Sequence, residues 1–194
     1  MPTNHYQPSP PLRLIHAFLF TLLISPLWAA EPPYIVIGDQ KLFLAYAPKD
    51  SEVQLREYLP KGETLRHWNR MASVRVFKDL DDPRAYLSGV AENVEKSHPA
   101  ARYQVLEKAE TGTVILDFLM YDSEASPARF AEWNLMRAEY VKGKGLVVYQ
   151  YAMRLYKIDD EAAEAINTER RRMVPPFGAA TFKEVSPTGA RPAN

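Results

Sequence analysis

The sequence predicts an α+β domain in which an antiparallel sheet, made of a hairpin and a meander, carries two or three helices packed mainly on one face. Two groups of short β-branched and aromatic runs predict the strands, one within residues 34–59 and one within 101–156. The predicted order is strands, a short helix, one strand, a longer helix, four meandering strands and a terminal helix. Segregation of helices from strands is typical of the α+β class.

The first strand group begins with a hairpin. Runs of strand-forming residues at 34–37 and 41–47 flank Gly38-Asp39-Gln40, and strand formers around such turn residues predict a tight reversal of the chain. Residues 53–59 alternate apolar and charged side chains and predict a third strand, which ends before Pro60.

A short helix and a strand are expected next. Thr64 is a candidate N-cap for a helix in which Leu65, Trp68 and Met71 share one face, because residues three apart lie on the same side of a helix. The β-branched residues within 73–77 then predict a strand.

A longer helix is predicted to begin at Asp82-Pro83. Aspartate is a good N-cap, and proline suits the first helical position because that residue needs no hydrogen-bonded N–H. The apolar stripe of this helix consists of Tyr86, Leu87, Val90 and Val94. The helix should stop at Ser97-His98, since Pro99 disfavours the helical conformation in the residue before it.

The second strand group is predicted to form an antiparallel meander. Its strands lie around Tyr103 and Val105 and over residues 113–121, 130–141 and 146–156, with a turn at Gly112. Residues 127–135 fit either a helix or a strand. Strand is favoured because the Lys-Gly-Lys-Gly stretch at 142–145 is typical of a hairpin turn.

A terminal helix is predicted after the meander. Asp159 and Asp160 stand near its start and an arginine run at 170–172 near its end, which is the charge order that the helix dipole favours. The Pro175-Pro176 pair is expected to end it. Residues 175–194 carry Gly and Pro without periodicity and are expected to form a loosely ordered tail.

The N-terminal residues predict a cleaved signal peptide. The apolar run at 14–24 would span about 16 Å as a helix, roughly half of a bilayer core of about 30 Å. The Ser25-Pro26 pair breaks the run, and cleavage is expected after Ala29 or Ala30, where small residues suit a signal peptidase. The alternative is an uncleaved anchor extending to Trp28. With cleavage, the protein is expected to be periplasmic or secreted, without stable membrane insertion.

The predicted organisation is a signal peptide at 1–29, one α+β domain at 30–174 and the tail at 175–194. The chain has 194 residues, 24 basic and 24 acidic side chains, and no cysteine. Balanced charge argues against a nucleic-acid partner, which a strongly basic surface would favour. The lack of cysteine excludes disulfides, thiolate nucleophiles and thiolate metal sites.

Two local segments carry a family resemblance. Residues 57–68, EYLPKGETLRHW, and residues 132–156, which contain the predicted last hairpin, are similar to segments of uncharacterised exported bacterial proteins. The element order of the whole domain resembles the fold shared by PsbP, Mog1 and DcrB proteins, with a helix after early strands, a central meander and a closing helix. The resemblance implies an exported location and the α+β fold, and it implies no reaction.

The residues that usually carry catalysis form no recognisable motif. After the leader only His67 and His98 remain, and they lack the helical spacing typical of zinc sites. Carboxylates on predicted strands are Glu57, Asp117, Glu132 and Glu139, which alternation along a half-exposed sheet also explains. The sequence therefore predicts no catalytic residue, no metal ligand and no cofactor.

The last predicted hairpin carries the candidate binding site. With a turn centred on Lys144, the cross-strand pairs would be Arg137 with Tyr151, Asn134 with Arg154, and Glu139 with Tyr149. Neither face of this hairpin is polar throughout, and Tyr, Trp and Arg are enriched at interface hot spots. The candidate binding residues are Trp133, Arg137, Tyr149, Gln150, Tyr151 and Arg154. The alternative is that the aromatics serve strand formation alone and Arg137 pairs with Glu139 or Asp117.

The favoured function is therefore a non-enzymatic binding or interaction module outside the cytoplasm. Its partner would be an envelope or effector protein on the exposed part of the sheet, or a small apolar ligand between sheet and helices. The alternative is an envelope hydrolase whose carboxylates or histidines meet only in the folded protein.

Overall fold

The computed structural model describes residues 31–49, 51–108, 113–121, 130–179 and 182–187. The predicted leader at 1–29, the predicted turn at Gly112 and residues 188–194 lie outside this part of the chain. The described residues form two meanders of four strands, and each meander is followed by a helix. Neither of the two described helices has the length and apolar character needed to cross a bilayer.

The strands are β1 (Tyr34–Ile37), β2 (Gln40–Tyr46), β3 (Gln54–Leu59), β4 (Arg70–Phe77), β5 (Arg102–Lys108), β6 (Thr113–Tyr121), β7 (Ala131–Val141) and β8 (Gly145–Leu155). The helices are α1 (Pro83–Ser97), after β4, and α2 (Asp160–Ala179), after β8. The strand predicted over 113–121 is confirmed, and residues 131–135 of the ambiguous stretch are strand.

All of these strands belong to one antiparallel sheet with the order β1-β2-β3-β4-β8-β7-β6-β5. The pairing of β4 with β8, from Arg70 opposite Met153 to Phe77 opposite Leu146, joins the two meanders at the centre. Among the described residues, β1 also forms a bridge on its outer side, between Tyr34 and Val185. The predicted α+β class is confirmed.

The two helices pack on opposite faces of the sheet, whereas the sequence predicted them mainly on one face. Successive side chains of a strand point to opposite sides, so Met136 packs with Leu87 of α1 while Leu135 belongs to the core cluster that contains Phe177 of α2. The central strands are apolar on both sides, and a strand of that kind must be covered twice. We call the two sides the α1 face and the α2 face.

The predicted start of α1 is confirmed. The Asp82 carboxylate accepts hydrogen bonds from the backbone N–H groups of Arg84 and Ala85, at 2.9 and 3.0 Å, and Pro83 is the first helical residue. These bonds satisfy N–H groups that have no partner inside the helix. The helix ends at Ser97, with His98 as its C-cap, before Pro99.

The short helix predicted from Thr64 is wrong. Thr64 and His67 form an isolated bridge, and β4 already begins at Arg70. The carboxylate of Glu63 accepts from the backbone N–H groups of Asn69 (2.7 Å) and Arg70 (3.2 Å), which holds this segment as a tight loop. Trp68 is buried at the end of that loop, so the spacing that predicted a helical face reflects burial in a non-helical segment.

The turn between β7 and β8 is centred on Gly143, one residue before the predicted centre. Gly143 adopts a φ of 81°, a left-handed conformation that glycine accommodates readily, and Val141 lies opposite Gly145. A shift of one residue in the turn centre moves each pairing by two residues. The observed partners are Arg137 with Tyr149, Asn134 with Ala152, and Glu139 with Val147. Because the pairing moves by an even number of residues, the alternation of side chains between the two faces is the same as with the predicted turn.

Helix α2 continues through Pro175 and Pro176 to Ala179, although the prolines were predicted to end it. Two missing N–H donors weaken a helix, but Met173 and Phe177 are fully buried on either side of the prolines and hold it against the sheet. Residues 182–187, which we call the C-terminal segment, cross back over the sheet to the bridge with Tyr34. Part of the predicted loose tail is therefore packed.

Replacing Phe177 by alanine should destabilise the protein by about 3–5 kcal/mol, because a fully buried aromatic side chain leaves a cavity. Urea denaturation measures this change in the free energy of unfolding. Leu80→Ala is the control, since Leu80 is 42% exposed and its loss should change stability by less than about 0.5 kcal/mol. Equal effects of the two substitutions would contradict the packing of this helix end.

Candidate functional site

The six predicted binding residues divide between the two faces of the sheet. Trp133, Arg137, Tyr149 and Tyr151 lie on the α2 face, and Gln150 and Arg154 lie on the α1 face. The hairpin therefore brings four of the predicted residues together on the α2 face and places the other two on the α1 face. The four differ in what covers them.

Trp133 lies under helix α2 and is fully buried. Its indole N–H donates to the buried carboxylate of Asp117 at 2.7 Å, and the Arg170 guanidinium of α2 donates to the same carboxylate at 3.2 Å. Gln104 of β5 completes this group with a bond of 2.7 Å. Trp133 thus anchors a helix and presents no surface to a ligand.

Tyr151 is also fully buried, beside a second carboxylate of α2. Glu169 accepts hydrogen bonds from the hydroxyl of Tyr151 and from the guanidinium groups of Arg70 (3.1 Å) and Arg172 (2.7 Å). Burial alone would raise the pKa of Glu169, but these three donors outweigh it and hold the pKa below its usual range. Glu169 therefore fixes the middle of α2 on the sheet as a carboxylate.

Replacing Glu169 by glutamine should reduce stability at neutral pH by about 2 kcal/mol, because two guanidinium groups lose their shared counter-charge. The pKa of Glu169 is lower in the folded than in the unfolded protein, so its contribution is complete above about pH 5 and is lost as the pH falls through the folded value. The difference in unfolding free energy between wild type and Glu169→Gln should therefore narrow as the pH falls below about 5.

Urea denaturation at several pH values tests this prediction. Glu95→Gln, at an exposed position of α1, is the matched control and should leave stability unchanged at every pH. A loss for Glu169→Gln that stays constant down to acidic pH would show that the carboxylate charge does not hold the helix.

On the α1 face, Gln150 and Arg154 belong to a polar ladder across β4, β8 and β7. The Arg154 guanidinium donates to Glu132 at 2.9 Å and lies over the rings of Trp68 (4.2 Å) and Phe130 (4.3 Å). The Gln150 amide donates to Asn134 at 2.7 Å. These groups satisfy one another, so their arrangement serves to bury polar groups within the sheet.

Tyr149 lines an open cleft on the α2 face, with a volume of about 920 Å³. Two rows of side chains on adjacent strands form its floor. The outer row is Gln54, Val76, Val147 and Glu139, and the inner row is Arg56, Val74 and Tyr149; Arg137 lies next in the inner row, outside the lining of the cleft. Val74 and Val76 are only half-buried, because α2 covers the sheet elsewhere. We call this feature the α2-face cleft.

The C-terminal segment forms the inner wall of the α2-face cleft. Phe182 packs edge-on against Tyr149, with ring centres 5.0 Å apart. Glu184 accepts a hydrogen bond from the Tyr58 hydroxyl at 2.7 Å and pairs with Arg56 at 3.2 Å. The wall is therefore apolar at one point and ionic at the next.

The tyrosine hydroxyls at this wall are held as neutral donors. Tyr149 donates to Glu139 at 2.7 Å, and the Arg137 guanidinium lies over its ring at 4.8 Å. Burial, followed by the bonded carboxylates, raises the pKa values of Tyr58 and Tyr149 well above their usual range. A phenol with a pKa raised in this way stays protonated at neutral pH, so it is not available as a general base. The described residues contain no group of three or more potential metal ligands.

A protein-family model matches residues 29–181, well over half of the chain. The chain belongs to this family. The family is uncharacterised, and the matched range includes all eight strands and both helices of the described structure. The C-terminal segment lies beyond the matched range. Neither a search of curated proteins nor a search of solved structures found a match to the chain.

Sequence reasoning missed most of the residues that line the α2-face cleft. Val74 and Val76 were assigned to a strand, but nothing in that strand shows that a helix leaves them uncovered. Tyr58 lay in a predicted strand far from the last hairpin, and its neighbour Glu184 lay in the predicted tail. A signal was present in the aromatic and acidic residues of the tail, since Phe182 and Glu184 suit a docked segment better than a loose one.

Proposed function

We propose that the protein is an exported, non-enzymatic binding module that holds a small ligand with an apolar body in the α2-face cleft. The observation that carries this proposal is the cleft itself, with its valine floor and its Phe182 wall. Its volume of about 920 Å³ lies within the range of ligand sites, which are mostly apolar with a few fixed polar groups.

The burial of the predicted aromatics favours a small ligand over a partner protein on the sheet face. Trp133 and Tyr151 are fully buried under α2 and offer no contact to another chain. Tyr149 is 5% exposed, and this small surface faces the concave cleft. A concave site of this size suits a compact ligand, whereas protein interfaces present a broader surface.

The roles of the cleft carboxylates favour binding over hydrolysis. Glu139 is engaged by the Tyr149 hydroxyl, and Glu184 is engaged by Tyr58 and Arg56. Neither of the two histidines in the described part of the chain lines the cleft: His67 stacks on Tyr156 at 4.3 Å, and His98 caps α1. The polar groups of the cleft are thus arranged as fixed hydrogen-bonding partners, which orient a ligand.

The proposed location rests on the leader. The apolar run, its Ser25-Pro26 end and the following alanines support export with cleavage after Ala29 or Ala30. The match to the family model begins at residue 29, next to this predicted boundary. The likeness of the element order to PsbP, Mog1 and DcrB proteins stays a prediction, as does the bacterial source of the family.

Binding of medium-chain amphiphiles tests the proposed function. Isothermal titration calorimetry with decanol and decanoate should show saturable binding of at least one of them, with a negative heat-capacity change from apolar burial. Val76→Trp should weaken that binding by at least about tenfold, because the indole would fill the floor of the cleft.

Val105→Trp is the matched control for this experiment. Val105 is a strand valine that is 56% exposed on the α1 face, so its replacement should leave binding unchanged. Absence of binding by both amphiphiles, or equal effects of the two tryptophans, would refute the proposed site.

Export is tested by the mass of the protein expressed with its own leader in a Gram-negative bacterium. The periplasmic fraction should contain a chain that begins at Ala30 or Glu31. Intact-mass spectrometry distinguishes this processed chain from the full-length chain. A periplasmic chain that retains residues 1–29, or a chain confined to the cytoplasm, would contradict the prediction.

A further inference from the structure

Two lysines line the same end of the α2-face cleft, which we call its open end. Lys78 follows β4 and Lys144 lies in the turn between β7 and β8, and both line the cleft. Gly145 brings these two chain segments together, since a Cβ at this position would overlap the carbonyl oxygen of Phe77 and lie within 2.9 Å of the Lys78 Cα. The close approach is therefore built into the backbone, and it fixes where the lysines emerge.

These two lysines outnumber the acidic groups of the cleft that lack a cationic partner. Glu184 is paired with Arg56 at the inner wall, whereas the Glu139 carboxylate accepts from the neutral Tyr149 hydroxyl, which does not compensate its charge. Among the described residues, neither Lys78 nor Lys144 forms an ion pair. The open end of the cleft thus carries two lysine charges against the single carboxylate of Glu139, and the valine floor begins directly beside them.

The geometry points to an anionic amphiphile as the ligand of this cleft. This inference rests on the proposed function and adds the class and the orientation of the ligand. The anionic group lies at the open end beside Lys78 and Lys144, and the apolar chain extends over Val76 and Val74 toward Phe182. A lysine ammonium is a mobile point charge that suits a carboxylate or a phosphate equally, so the recognised chemistry is a single anionic head on an apolar body.

The decisive comparison is between decanoate and decanol, which differ in the charge of the head group. Isothermal titration calorimetry should show tighter binding of decanoate to the wild type. In the double variant Lys78→Gln/Lys144→Gln, decanoate affinity should fall by about tenfold while decanol affinity stays unchanged. The decanoate advantage should also shrink as salt is added, because exposed charges are screened.

Lys142→Gln is the matched control. Lys142 is an exposed lysine of the same turn that does not line the cleft, so its replacement should leave decanoate binding unchanged. Equal binding of the two amphiphiles to the wild type, or no effect of the double variant on decanoate, would overturn the inference and leave the proposed function standing. Failure of both amphiphiles to bind would overturn the proposed function itself.

Vesicles distinguish a ligand held singly from a membrane surface. Flotation with phosphatidylcholine vesicles that contain phosphatidylglycerol tests attachment to anionic lipid in a bilayer. We expect monomeric decanoate to bind in calorimetry and to compete with any vesicle association. Vesicle association that persists at saturating decanoate and requires the two lysines would show that they serve a membrane surface, and would overturn the inference.

Discussion

Two buried carboxylates hold helix α2 on the sheet, and the position of this helix decides which part of the α2 face stays open. Asp117 and Glu169 each accept bonds from at least one guanidinium and one aromatic side chain. Bonds to charged groups contribute about 1.5–3 kcal/mol each, and a buried carboxylate without them would be strongly destabilising. The helix therefore has one well-defined position on the sheet. This position places the C-terminal segment, which follows the helix, over β8 and β3.

The α2-face cleft is a consequence of this position of α2. Helix α2 covers the rows around Tyr151 and Trp133, the C-terminal segment covers the next part, and the valines beyond remain half-buried. On the opposite face, α1 covers the apolar rows around Met136 and Val148, and the ladder around Asn134 satisfies polar groups. The open apolar floor of the α2 face has the concave, mostly apolar character that is typical of ligand sites.

Local chemistry made much of the fold predictable. The Asp82-Pro83 start of α1, the strand at 113–121 and the division of β7 and β8 into two faces follow from capping, β propensity and alternation, which depend on neighbouring residues. The site was less predictable, because it exists where no helix covers Val74 and Val76, and the position of a helix on a sheet depends on residues distant in sequence. Local patterns also could not show that packing of Phe177 would outweigh Pro175 and Pro176.

A methyl NMR titration tests the central claim most directly. In protein with labelled valine methyl groups, decanoate should shift the signals of Val74, Val76 and Val147, which floor the α2-face cleft, and leave Val90 and Val94 of α1 unchanged. Perturbations confined to the α1 face, or none at saturating decanoate, would contradict the assignment of the cleft as the ligand site.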